Sequence, residues 1–449
     1  MAESDWMFHD LADEPYGMLP VSNLSGKGSS SLKFYEQITS YNWSRAFTNQ
    51  RVMMLPGAPY DLIDSWTGGH LEPDDEPMLF DANHLFWPDG PLDPIFRAVK
   101  YSADKGDIPP LNFQEFDLVC DVMNLQKLFA FCKSGEEEGM FRIDLERVGN
   151  AVLMNRVEPG DWMKADFINF DLNMRKVCTK PHSDEHEGSF HQIARYQFGN
   201  LKMLVRFEAH AGDFSKQTGR SRKTKSAPTD VGPAEGANGT TTSGLEEDPE
   251  LDGQPRQFER DSELKYVPTK MGRKNFLIIT TNFPSGKGFP YYTYPQLFFS
   301  GAEVMLCGWY KNIGDFTKPA SYLIGDINKL MKPLPYATLA KVNDLLTKLT
   351  SFMRKCADDA KVSIIWLNEP QIMIFERKPN SASAISSSVR TLLEAQIEPK
   401  RQAEAESNDQ TENNGTQGDQ SNDGGKNIGQ ADSEENNNND GCDPVEGVD

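Results

Sequence analysis

Glu208 and His210 stand two residues apart at the end of the apolar run KMLVRF (202–207). On a strand such residues share one face, so a carboxylate and an imidazole would stand together, as in an acid–base pair or half of a metal site. The solvated end of a strand is the plainer alternative. A second set, Cys178, His182, His186 and His191, is spaced C-x3-H-x3-H-x4-H, with Asp184, Glu185 and Glu187 between. Thiolate and imidazole are the usual zinc ligands. Pro181 and the long last step keep the set off a single helix face, and a polar stretch with scattered histidines explains it more simply. Arg142, Arg147, Arg156, Arg175, Arg195 and Arg206 recur on predicted strands and a helix. They line an anion-binding face near Glu208 or pair with the many acids. Ser25-Gly26-Lys27-Gly28-Ser29 lacks GxxxxGK[ST] and reads as linker, and no GxSxG, HExxH or GxGxxG occurs.

The elements that must carry these residues follow from periodicity. Phe34 to Arg97 is rich in Pro, Gly, Trp and Asp and reads as loop-dominated packing, ending in a helix over Pro94 to Ser102. Apolar spacing predicts a helix over Phe116 to Cys132. FRIDLERV and AVLMNRV flank Gly149-Asn150, a pair that tolerates positive φ, and predict a hairpin. Glu187 to Phe198 reads as a helix stopped by Gly199-Asn200. Lys202–Phe207, Asn275–Thr281 and Glu303–Tyr310 read as buried strands, Tyr294–Ser300 as a short helix and Leu334–Asp358 as a long one. Val362–Asn368 and Gln371–Arg377 close the domain as a strand pair. The expected fold class is α/β (α+β), one mixed central sheet flanked by helices.

The 449 residues carry 46 Lys and Arg against 67 Asp and Glu, a net charge of −21. That balance excludes an indiscriminate nucleic-acid coater. The segment 401–449 has thirteen acids and two bases, a net of −11, and the remainder keeps −10. The stretch 213–262 runs from a basic cluster, GRSRKTK, to an acidic Gly/Thr-rich half. Both segments are too polar to offset their chain entropy by burial and are expected to be disordered. The domain reading is a flexible 1–30, one α/β domain over 31–378 interrupted by the loop 213–262, and a disordered acidic tail over 379–449. GRSRKTK has the composition of a nuclear-import signal or a phosphate patch. The acidic opening, MAESDWMFHDLADEP, has no secretory profile. The six cysteines form no CxxC pair and no run nears the ~18 apolar residues of a membrane span. The expected setting is cytoplasmic or nuclear, with no membrane.

Seven stretches resemble a fungal family of uncharacterised proteins often labelled geranylgeranyl pyrophosphate synthetase. They are YNW (41–43), LPGAP (55–59), DPIFRAV (93–99), FDLVCDVMNLQKLFAF (116–131), FRIDLERVGNAVLMNR (141–156), HQIARYQFGNLKMLVRFEAHA (191–211) and YPQLFFSGAEVMLCGWYKNIGDF (294–316). The label does not suit these residues. Asp74-Asp75 and Asp358-Asp359 do not complete the DDxxD clusters that hold magnesium against a diphosphate. The family pattern looks like a PD-(D/E)xK nuclease core, in which carboxylates on adjacent strand ends bind Mg²⁺ and a Lys orients the attacking water. By that resemblance Glu208 matches the first carboxylate, His210 stands where Asp is usual, and Gln296 matches a substrate-holding Gln. The (Asp/Glu)-x-Lys pair falls on Ile278 and Thr280, or on Glu263 and Lys265, which spell ExK at the edge of the loop. The implied function is a non-catalytic or weakly active nuclease-fold protein that binds a protein or nucleic-acid partner. An active Mg²⁺-dependent nuclease is the alternative and a prenyl diphosphate synthase the disfavoured third. The implied cofactor is none, or Mg²⁺ if the site is intact.

Overall fold

The computed structural model describes residues 5–44, 52–63, 65–133, 139–163, 168–183, 186–213, 263–266, 275–282, 293–331 and 334–397. Residues 214–262 of the expected loop and 398–449 of the expected tail lie outside them. The chain divides into residues 1–398 and 399–449, and only the first unit contains described residues.

Numbering in chain order the elements that frame the site, the strands are β1 (Gly17–Pro20), β2 (Leu32–Ser44), β3 (Val52–Leu55), β4 (Leu118–Asp121), β5 (Phe141–Val148), β6 (Ala151–Val157), β7 (Phe190–Phe198), β8 (Leu201–Glu208), β9 (Ala211–Asp213), β10 (Glu263–Tyr266), β11 (Asn275–Asn282), β12 (Val304–Asn312), β13 (Lys361–Trp366) and β14 (Gln371–Glu376). The helices are α1 (Ala82–Phe86), α2 (Asp93–Asp104), α3 (Val122–Lys133), α4 (Asp171–Cys178), α5 (Thr293–Ser300), α6 (Tyr336–Lys355) and α7 (Ser387–Glu394).

Eleven of these strands form one mixed sheet in the order β1-β14-β13-β5-β6-β4-β8-β7-β2-β3-β10. Its middle, β6-β4-β8, is parallel, and the strands around it are mostly antiparallel. Parallel strands need cover on both faces, and β8 shows it. Met203, Val205 and Phe207 pack under α3, α5 and α6, while Leu204 faces α2 and α7. The fold class is therefore the expected mixed α/β, with helices on both faces of the central sheet.

A second, smaller sheet is present in addition to the expected central one. In it β9 pairs antiparallel with β11, and β11 runs parallel to β12 through the crossover helix α5. Continuously apolar strands such as NFLIITT say that they are central, but not in which sheet.

Three other expectations are corrected. The predicted helix 187–198 is the strand β7, paired with both β8 and β2. Both faces of β7 are covered, with Phe190, Ala194, Tyr196 and Phe198 in one core cluster and Ile193 in the other, so the apolar positions fall at helix-like spacing. Gly199-Asn200 is the two-residue hairpin turn that follows it, with Gly199 at φ +63°. The predicted helix 116–132 is β4 followed directly by α3. The region taken as loop-dominated holds the thirteen-residue strand β2. The folded body also extends past both expected limits: β1 pairs with β14, and residues 379–397 lie across the sheet and end in α7.

Gly199 supplies a local test. A Cβ there would lie 2.4 Å from the Asn343 amide, whose Nδ2 donates to Phe198 O at 2.9 Å. Gly199→Ala is expected to cost about 1–3 kcal/mol from positive φ and crowding combined, read as a lower urea midpoint with unchanged slope.

Candidate functional site

The strand ends of β8 and β11 bring together the first group of predicted residues. Glu208 is the last residue of β8, and its side chain is 44% exposed. Its Oε1 lies 3.5 Å from Arg175 on α4. The chain then bends, so His210 turns away from the β8 face into the second sheet. Its amide donates to Leu277 O at 3.1 Å, and its Nδ1 accepts from the Ile279 amide at 2.9 Å. Burial, reinforced by the nearby Arg175 cation, holds the imidazole well below its ordinary pKa. This histidine is a neutral clip between two sheets, with Nδ1 already committed.

Asp171, in the first turn of α4, completes the neighbourhood. Its Oδ1 accepts from the Thr281 amide and hydroxyl, each at 2.7 Å. Burial raises its pKa, opposed by Arg175. The adjacent strand β11 supplies no carboxylate or ammonium here. Ile278 is fully buried in the main core, Leu277 and Ile279 are buried on the opposite face, and Thr280 is half-buried. Gln296 is half-buried on α5, which packs against β8.

The alternative pair lies elsewhere. The backbone of Glu263 to Tyr266 forms β10, parallel to β3 at the outer edge of the large sheet. Strands β3, β2 and β7 intervene before β8, a separation of roughly 19 Å at ordinary strand spacing.

The cysteine–histidine set is also dispersed. Cys178 packs against Met174 in the second sheet's core. His182 Nδ1 is 3.0 Å from Asp61, His186 Nδ1 is 2.7 Å from Ser183 Oγ, and His191 stacks on Tyr41 at 5.0 Å. Among the described residues no three His, Cys, Asp or Glu side chains are placed to hold a metal ion. A paired Glu208, a committed His210 and the apolar Ile278 do not make the oxygen-rich shell that Mg²⁺ requires, so no step is assigned to a metal.

Arg206 and Arg156, from the arginine series, instead enter a buried ion network at the carboxyl ends of the parallel strands. Arg206 forks onto Asp121 of β4 (Nε–Oδ1 2.6 Å, Nη2–Oδ2 2.7 Å) and donates from Nη1 to Pro91 O at 2.9 Å and to the Tyr41 hydroxyl at 3.3 Å. Arg156 approaches Asp81 at 3.3 Å and Glu158 at 3.2 Å, and Lys127 adds a second cation 3.3 Å from Glu158. Asp81 caps α1 through Asn83, whose Oδ1 accepts from Trp43 Nε1 and the Tyr41 hydroxyl. Burial opposes the Asp81 charge, but Arg156 and Arg206 hold its carboxyl below the usual range. Burial pushes Asp121 up, and the Arg206 fork opposes it. The remaining arginines serve structural ends: Arg142 on Asp144, Arg147 on the last carbonyls of α6, and Arg195 on Glu36.

Asp81 and Asp121 were missed in the sequence. The signal for Asp121 is a lone acid inside LVCDV, a strand with no other way to satisfy a charge; for Asp81 it is a capping Asp ahead of ANHLF.

The comparisons agree with this geometry at the level of fold. S. pombe Rai1 in complex with 3′-FADP superposes with a TM-score of 0.50 and 11% identity over 80% of this chain and 99% of that one. Candida albicans Rai1 in complex with pU5 and Mn²⁺ gives 0.51 and 12% over 85% and 99%. The shared mixed α/β, nuclease-like fold lends nothing to the geranylgeranyl pyrophosphate synthetase label. Among curated proteins none matches. No helix among the described residues is long and apolar enough to cross a membrane. A family model matches residues 21–318, the greater part of the chain, and the chain belongs to that family, the domain of unknown function DUF8563.

Proposed function

We propose that this chain is a catalytically silent form of the nuclease fold, which keeps the scaffold to bind a partner and has lost metal-dependent cleavage. One observation carries the reading. The strand beside His210, where the (Asp/Glu)-x-Lys pair of a nuclease core would stand, offers Ile278 and Thr280, and Ile278 is buried in the core. A carboxylate cannot be recruited there without opening the packing. Glu208 has Arg175 as its partner, and among the described residues no three His, Cys, Asp or Glu side chains are placed to hold a metal.

The Rai1 neighbours hold pU5 and 3′-FADP, so an oligonucleotide or nucleotide is the first ligand class to test, with a protein partner as the other outcome. Purified full-length chain with Mg²⁺ or Mn²⁺ and end-labelled single-stranded RNA or DNA is expected to leave the substrate intact, and Glu208→Gln to be indistinguishable from wild type. Metal-dependent cleavage that disappears in Glu208→Gln would overturn the proposal. A titration against the same strands at two salt concentrations separates the partners. Salt-sensitive binding favours nucleic acid, and no binding at low salt favours protein.

A further inference from the structure

The serine-rich stretch SASAISSS (381–388), within the tail expected to be disordered, is bound tightly to the body. Ser383 Oγ donates to Glu146 at 2.8 and 2.9 Å, and the Ala384 amide donates to the same carboxylate at 2.9 Å. Arg390 of α7 pairs with Glu146 as well. Three residues on, the Ser386 amide donates to Asp93 Oδ1 at 2.8 Å and its hydroxyl to Asp93 Oδ2. The same hydroxyl caps α7 by accepting from the Val389 amide. Asp93 and Glu146 are both fully buried. Ala384, Ile385, Val389 and Leu393 fill the groove formed by Ile95, Phe96, Phe113 and Phe116.

Arg97 of the body also donates to Asp93 Oδ2 at 3.3 Å, so one peripheral segment supplies half of the donors to Asp93 and those to Glu146. Such a contact depends on the charge that the segment carries. A hydroxyl facing a carboxylate is a bond, whereas a phosphate in its place is a second anion at the same point. Gly90 leaves no room for it to turn, since a Cβ on Gly90 would already lie 2.7 Å from the Ser386 amide.

We infer that residues 379–397 are a releasable strap and that Ser386 is a phosphorylation site whose modification releases it. The strap opens locally, as peripheral segments do. A protein kinase then transfers the γ-phosphoryl group of a nucleoside triphosphate to Ser386. The Oγ–P bond forms, the bond from the γ-phosphorus to the bridging oxygen breaks, the nucleoside diphosphate leaves with that oxygen, and the hydroxyl proton passes to the kinase's base. The phosphoserine dianion cannot return beside Asp93, so the open state is retained and the groove over Phe96 and Phe113 is uncovered.

The test uses the full chain with phosphoserine placed at position 386 during translation. Hydrogen exchange of amides 387–394 is expected to quicken at least about tenfold, while the β8 amides keep their protection. Ser386→Ala, which loses the bonds without adding charge, is expected to open the strap less than Ser386→Glu. Adding Asp93→Asn to Ser386→Glu is expected to restore protection. Exchange within about twofold of the unmodified chain overturns the inference, as does a double variant as open as Ser386→Glu alone. Loss of β8 protection together with the strap would mean that the strap does not release as a unit, and also overturns it.

Discussion

Arg206→Met is expected to lower the unfolding free energy by about 3–5 kcal/mol, because it strands one charge of a buried pair. Arg206 is 1% exposed and its guanidinium is engaged on every side: both Asp121 oxygens, Pro91 O and the Tyr41 hydroxyl. Burial works against the cation, but Asp121 beside it carries its pKa above the ordinary value, so the guanidinium stays charged in the folded state; burial pushes the Asp121 carboxyl up and the fork opposes it. Methionine fills similar space and leaves the Asp121 carboxylate without its fork. Arg206→Met with Asp121→Leu removes both charges and is expected to recover most of the loss, since two apolar groups need no solvation. Urea unfolding of the wild type, both single variants and the double variant gives the cycle. A cost below about 1 kcal/mol for Arg206→Met would mean that water already reaches the pair.

That network shows what a linear sequence hides. Asp121 and Arg206 are 85 residues apart and meet only because β4 and β8 are parallel neighbours. Local strands were legible where the pattern was clean. The hairpin β5–β6 alternates on both sides of Gly149-Asn150, and KMLVRF is apolar enough to be central, as β8 is. Helix α6 was legible for the same reason, since its buried residues recur at helical spacing for twenty residues. Reading failed where two signals competed. Burial of β7 on both faces produced helical spacing in a strand, and the four-residue β4 was absorbed into the apolar run of α3.

The candidate site divides in the same way. His210 lies against the strand 275–282, over which the resemblance had set the (Asp/Glu)-x-Lys pair. The two-residue step gave Glu208 and His210 a shared face, but β8 ends at Glu208 and the bend turns His210 toward Ile279. The cysteine–histidine spacing had no such support. Its members fall on a helix end, a turn and two different environments beyond it, and each finds a local partner.

His191 makes the buried network acid-sensitive, and the sign follows from its position. It is 4% exposed, stacked on Tyr41, with Nε2 3.2 Å from Ser189 Oγ. Burial, with Arg206 nearby, lowers its pKa to about 3 from an ordinary 6.5. Above pH 6.5 the imidazole is neutral in both states and stability does not depend on it. Below 6.5 the unfolded chain takes up a proton that the folded chain refuses, so stability falls by about 1.4 kcal/mol per pH unit until the folded group titrates near 3. His191 alone is expected to remove about 3 kcal/mol between pH 6.5 and pH 4. His210, held low by burial, pulls in the same direction. Asp81 acts only at more acidic pH. Its pKa is depressed, so its contribution is complete above the ordinary carboxylate range and is lost below it. His191→Phe keeps a ring on Tyr41 and cannot take up a proton. Urea midpoints from pH 7 to pH 4 are expected to fall less steeply in His191→Phe, by one proton's slope. Equal slopes in the two proteins would show that His191 is charged, or freely solvated, in the folded chain.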